Sequence, residues 1–116
     1  MEAPQIQGYR FGRMVVDGQT HTHDVILLPD RVVANWWRKQ GHRLEVTDLQ
    51  EVLNAAPEVL VVGTGAYGAM KVPQETKDAL EAAGIELRTA HTGDAWHVYN
   101  DLREQRRTAG VFHLTC

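Results

Sequence analysis

The chain has 116 residues, a formal net charge of −3 and 43% hydrophobic residues, the proportions of one ordinary domain, long enough to build a core without disulfides or metal. Its single cysteine, Cys116, excludes an internal disulfide and favours a reducing compartment. No apolar run reaches membrane-spanning length, Met1-Glu2-Ala3-Pro4 lacks a signal-peptide pattern, and the slightly acidic balance gives no general reason for nucleic-acid binding, so a cytoplasmic location without membrane or nucleic-acid partners is expected.

The first third reads as β. Ile6, Tyr9 and Phe11 are spaced apolar residues, and Met14-Val15-Val16 lead into Asp17-Gly18. Asp-Gly between β-like runs is a hairpin signal, because both turn positions tolerate positive φ. Thr20 to Thr22 would be the return strand, and Asp24 to Leu28 another strand, ended by Pro29-Asp30. From Val32 to Leu44 no regular element is assigned, since Trp36 and Trp37 are adjacent and Gly41 interrupts the segment.

Helical spacing begins at Thr47. Thr47 with Gln50 fits a capping box, and Leu49, Val52 and Leu53 form an i, i+3, i+4 stripe up to Pro57. Val59-Leu60-Val61-Val62 is a continuous run of the kind buried on both faces of a parallel strand. A glycine loop follows, and Pro73 starts a second helix that Gly84 caps. Ile85 to Arg88 form a short strand. Thr92 or Asp94 caps a last helix with Ala95, Val98, Tyr99 and Leu102 on one face; Gly110 closes the loop after it, and Val111 to Leu114 form the final strand. The order predicts an α/β fold with a parallel or mixed sheet carrying helices. Arg103, Arg106 and Arg107 read as a solvated helix end.

The loop Gly63-Thr64-Gly65-Ala66-Tyr67-Gly68 spells G-x-G-x-x-G after a buried strand. In a dinucleotide site the third glycine lies in the first helical turn and an acid some twenty residues on holds the ribose. Here the helix is delayed to Pro73 and Glu86 falls inside a strand, which argues against a dinucleotide. A phosphate P-loop fails too, because Lys71 does not directly follow the last glycine. The glycines supply positive φ in a crossover loop. They also place a nest of backbone N–H groups at a strand's C-terminal end, where open α/β sheets put their sites. Gly63, Thr64, Gly65, Gly68, Lys71 and Thr92 are therefore the candidate ligand site, for a small anionic metabolite.

Other candidates are weaker. His21 and His23 alternate on the predicted return strand but have no spaced further ligand for zinc. Asp94 and His97 are an i, i+3 pair on the last helix, with Asp94 explained by the helix dipole. His113 and Cys116 do not make a nucleophile pair, because a carboxylate beside the thiol disfavours the thiolate. No catalytic constellation, metal or cofactor is expected.

The second half as an ordered set carries more information than its parts. Leu60-Val61-Val62-Gly63-Thr64-Gly65, Met70-Lys71-Val72-Pro73, Gly84-Ile85, Ala95 with Tyr99-Asn100, and Ala109 to Cys116 resemble one domain-of-unknown-function family. It includes the adipogenesis-associated domain protein of animals and, more distantly, mitochondrial complex I assembly factor 3. Asp24 and Trp36-Trp37 also fit. The resemblance implies a three-layer fold: a mixed central β-sheet, helices packed on it and an additional N-terminal β element. It implies no reaction or cofactor, and for the assembly-factor members it implies action through protein partners. A binding or assembly module with a protein partner is the leading expectation, and an enzyme or sensor for a small anionic metabolite the alternative. A homodimer is compatible with the sequence.

Overall fold

The two β regions of the sequence fold into two separate sheets, because the Asp17-Gly18 hairpin closes on itself before the chain reaches the apolar strands. A computed structural model describes residues 3–116. The small sheet holds β1 (Ile6–Arg10), β2 (Arg13–Val16) and β3 (Gln19–His21), all antiparallel. Asp17 and Gly18 sit at φ 49° and 81°, the left-handed pair that a tight hairpin requires. Gly12, at φ 77°, turns the chain between β1 and β2.

The large sheet runs β5-β4-β8-β6-β7. Its members are β4 (Val25–Leu28), β5 (Arg31–Val33), β6 (Val59–Gly63), β7 (Glu86–Ala90) and β8 (Thr108–Phe112). β6 pairs in parallel with both β7 and β8, while β4 runs antiparallel to β8 and β5. The sheet is therefore mixed. β5 runs into the stretch from Val32 to Leu44 that sequence patterning leaves irregular; three residues suffice because Pro29-Asp30 turns the chain straight back on β4.

Period-2 alternation divides the core. Ile26, Leu28, Leu60, Val62, Ala109 and Val111 face one side, where they pack with Leu49 and Val52 near α1 (Gln50–Ala55) and Leu80 of α2 (Gln74–Ala82). Val25, Leu27, Val61 and Phe112 face the other, against Ala95 and Tyr99 of α3 (Thr92–Arg103) and Ile6, Met14 and Val16 of the small sheet. The layers are α1 and α2, then the large sheet, then α3 with the small sheet.

Four local expectations shift. The first helical stretch opens as a 3₁₀ turn, Val46–Leu49, and Asp48 rather than Gln50 closes it, its carboxylate accepting from the Glu45 N–H at 2.9 Å. α3 is capped by neither Thr92 nor Asp94: His91 stands at its N-cap, and the Thr92 hydroxyl is engaged elsewhere. The final strand is Thr108–Phe112 rather than Val111 to Leu114, so Gly110 is not in a loop but inside β8, where an added Cβ would meet Phe112 Cε2 at 2.5 Å. His23 lies beyond the end of β3, so it does not share a strand with His21. No helix among the described residues is long and apolar enough to cross a membrane.

Candidate functional site

β6 and β7 are parallel neighbours whose following helices, α2 and α3, cover opposite faces of the sheet. Such a switch opens a crevice at the carboxyl ends of the strands, the usual ligand position in open α/β sheets. The Gly63–Gly68 loop and the start of α3 sit there.

Close packing explains the glycines. Gly63 ends β6, and a Cβ on it would meet Phe112 Cδ1 at 2.7 Å and Thr92 Oγ1 at 2.8 Å. Gly65, at φ 106°, lies against the His113 ring and the Cys116 main chain; Gly68, at φ 73°, lies against the His91 ring. Thr64 donates from N–H and hydroxyl to Ala90 O at 3.0 and 3.1 Å, which ties the loop to β7. Thr92 Oγ1 accepts from the Gly65 N–H at 2.9 Å and donates to His113 O at 2.7 Å. Gly63, Thr64, Gly65, Gly68 and Thr92 thus form one cluster. Lys71 stands at its exposed rim, with Nζ turned back on Gly68 O at 3.2 Å.

The loop N–H groups point at the segment 113–116 of the chain itself. Ala66 N–H donates to Thr115 O at 2.6 Å, and the Tyr67 and Ala69 N–H groups converge on Cys116 O at 3.2 and 3.0 Å. The loop is an oxygen cradle, and the chain's own main chain occupies it. Gly12 N–H and the Tyr9 hydroxyl hold the same segment from the small sheet, both donating to Leu114 O at 2.8 Å.

Beneath the loop lies a charged cluster that sequence patterning does not single out. Asp24 precedes β4 and, through the antiparallel register with β8, stands opposite His113. Its Oδ2 takes Arg38 Nη1 at 2.7 Å and His113 Nδ1 at 2.8 Å, and its Oδ1 accepts the Leu114 N–H at 2.8 Å. Arg38 is held further by Gly41 O and by the Trp36 ring, 4.7 Å from its guanidinium carbon. The side chains of Arg38, His113 and Asp24 are 5%, 7% and 15% exposed. Burial alone would raise the Asp24 carboxyl, but His113, the Leu114 N–H and Arg38 outweigh it and hold it below the ordinary carboxylate range. His113 Nδ1 also lies 3.1 Å from Arg38 Nη2, and its Nε2 is buried with no hydrogen-bond partner among the described residues. Asp24 before an apolar strand and His113 inside the run Val111 to Leu114 were the available signals: polar residues embedded in core sequence need partners.

The cluster borders a groove of about 300 Å³ lined by His23, Asp24, Trp36, Trp37, Arg38 and Thr115 among others. Among the described residues no group of three metal-ligating side chains comes together. The basic residues at the end of α3 are not merely solvated: Arg103 donates to Ala3 O, Arg106 pairs with Glu86 and Arg107 donates to Ala55 O.

Residues 6–113 match the family described as protein of unknown function (DUF498/DUF598). The chain belongs to that family. Among solved structures, it is similar to a conserved hypothetical protein from Pyrococcus horikoshii, with 28% identity, a TM-score of 0.83 and coverage of 97% of this chain and 99% of that one. A Bordetella parapertussis protein shares 26% identity at a TM-score of 0.82, covering 98% of both chains. An Mth938-like domain from Bordetella pertussis shares the fold at 22% identity and a TM-score of 0.72, over 96% of this chain and 85% of that one.

Proposed function

We propose that the chain is a protein-binding module whose contact face is the loop end of the large sheet. One observation carries this reading. Among the described residues, Phe11, Trp37 and Tyr67 are the large hydrophobic residues left exposed, at 54%, 80% and 76%, and each lies beside the segment 113–116 or next to a residue that does. Phe11 and Tyr67 are neighbours, with ring centroids 6.1 Å apart. Gly12, beside Phe11, packs against Thr115, and Trp37 lines the groove to which Thr115 also contributes. Tryptophan and tyrosine dominate binding energy at protein interfaces, because a large rigid ring buries much area at little entropic cost. Beneath them, the Asp24–Arg38–His113 cluster and the loop cradle give the face a rigid base.

The resemblance to complex I assembly factor 3, whose branch acts through protein partners, supports such a role, and a cytoplasmic location is part of the proposal. The test is comparative. Tagged wild type and a Phe11→Ala/Trp37→Ala/Tyr67→Ala variant are passed through the same native lysate, with folding matched by circular dichroism. Partners retained by the wild type and lost by the variant support the reading; identical retained sets, or none, oppose it.

A second reading keeps Gly63, Thr64, Gly65, Gly68, Lys71 and Thr92 as a site for a small anionic metabolite, as in an enzyme or sensor. It is favoured by the convergence of the Tyr67 and Ala69 N–H groups on one oxygen. It requires Cys116 O to give way to the ligand. A ligand at a hundredfold excess over Kd would stabilise the fold by about 2.7 kcal/mol. A metabolite panel that raises the Tm of the wild type but not of Lys71→Ala would support it.

A further inference from the structure

The loop end differs from the rest of the molecule in charge as well as in aromatic content. The segments 9–15, 36–43, 64–71 and 113–116 contain no Asp or Glu, although the chain carries 15 of them against 12 Lys and Arg. The same segments hold Arg10, Arg13, Arg43 and Lys71, all exposed, and also the exposed Lys39, whose N–H donates to Asp48. Of the carboxylates beside this end, Asp24 is taken up by Arg38 and His113, Asp48 accepts the Lys39 and Glu45 N–H groups, and Glu51 shares a groove with Trp37. At the opposite edge, where the parallel strands begin, Arg106 and Arg88 share Glu86 and Arg106 reaches Glu58, while Arg107 donates to Ala55 O. Among the described residues no such pair forms for Arg10, Arg13, Arg43 or Lys71.

These four groups are connected through the fold. Arg10 and Arg13 face each other directly across the β1–β2 hairpin. Like charges in that position repel, an arrangement that an anion laid between them relieves. Phe11 stands at the turn they flank and contacts Tyr67. Tyr67 and Lys71 belong to one loop, and Lys71 pairs through its main chain with Arg43. Uncompensated positive charge therefore flanks Phe11 and Tyr67 on a protein that is acidic overall.

We infer that the partner presents an acidic segment with an aromatic or aliphatic anchor: Asp and Glu side chains set against Arg10, Arg13, Arg43 and Lys71, and the anchor between Phe11, Tyr67 and Trp37. This rests on the protein-binding reading above and names the chemistry of its partner. A short acidic peptide fits better than a nucleic acid. A polyanion long enough to leave the basic end meets the acidic remainder of the molecule within a screening length of about 8 Å at physiological salt. A short peptide does not. Charge complementarity of this kind sets partner choice and association rate.

The test is a selection of short random peptides displayed on phage against the wild type and against Arg13→Glu/Arg43→Glu/Lys71→Glu. The wild type should enrich peptides with excess Asp and Glu around an aromatic or aliphatic residue, and the variant should enrich Lys and Arg instead. The best wild-type peptide, made synthetically, should lose roughly tenfold or more in affinity on the charge-reversed protein and weaken as salt rises. That salt titration on the wild type decides the question if the variant does not fold. A fluorescent oligothymidylate should bind more weakly than the peptide. Enrichment without charge bias, affinity indifferent to salt, or tighter binding of the oligothymidylate overturns the inference while leaving protein binding or the face itself standing. No enriched peptide at all contradicts both.

Discussion

Replacing Asp24 with alanine removes the acceptor of three hydrogen bonds and strands a guanidinium. Arg38 Nη1, His113 Nδ1 and the Leu114 N–H lose their partner together. The Arg38 side chain is only 5% exposed, so water replaces the lost carboxylate poorly. Breaking a buried ion pair from one side costs about 3–5 kcal/mol. Arg38 keeps Gly41 O and the Trp36 face, which places the loss near the lower end. With an unfolding entropy of about 2.1 cal/mol/K per residue, a loss of about 3 kcal/mol lowers Tm by about 12 °C in a 116-residue domain. The control is Asp30→Ala, which removes the Arg31–Asp30 pair, whose side chains are 55% and 64% exposed. Exposed pairs contribute about 0–1 kcal/mol. Thermal and urea unfolding followed by circular dichroism at pH 7 measures both. The pH dependence follows from the sign of the shift. The Asp24 carboxyl is lowered in the folded state, so its contribution is complete above the unfolded pKa of about 3.9 and is lost as pH falls through the folded value. The gap between wild type and Asp24→Ala should narrow as the pH is taken below that point. Equal costs for Asp24→Ala and Asp30→Ala would refute the reasoning.

Other substitutions probe the layers that hold the site. Gly110→Ala sets a methyl against Phe112 Cε2 at 2.5 Å and Tyr99 Cδ1 at 3.0 Å. Overpacking a buried strand in this way should cost about 1–3 kcal/mol in urea unfolding, whereas Gly41→Ala, with nothing within 4 Å of the new methyl, should not. Tyr99→Phe deletes a buried 2.7 Å hydrogen bond to Pro4 O and retains the edge-to-face contact with Phe112. A loss of about 1 kcal/mol is expected, with no change in partner binding. A loss beyond about 3 kcal/mol would mean that the hydroxyl organises more than this one bond.

What local chemistry dictates was legible in the sequence. Asp17-Gly18, the Val59 to Val62 run, Pro73 before α2 and Gly84 after it each act within a few residues, and the chain folds there as they require. Gly110 was not legible, because its meaning comes from the Tyr99 and Phe112 rings packed over it. Neither was the capping of α3. Thr92 has the chemistry of a cap, but its hydroxyl is worth more bridging Gly65 N–H and His113 O in a buried junction. The glycine loop was visible as a cradle, whereas its occupant, residues 115 and 116, is set by the path of the chain after β8. The Asp24–Arg38–His113 cluster joins residues 75 and 89 positions apart, beyond the reach of any local pattern. The exposure of Phe11, Trp37 and Tyr67 likewise depends on which core they fail to join.

The central claim is that the loop end of the sheet meets a protein partner. Site-specific photo-crosslinking in cells tests it most directly. A photoreactive phenylalanine analogue is placed singly at Trp37 or Tyr67 on that end, and at Arg88, exposed on the edge strand β7. The account predicts one discrete higher-mass adduct common to positions 37 and 67 and absent at position 88. Adducts at position 88 alone, or none from positions 37 and 67, would contradict it.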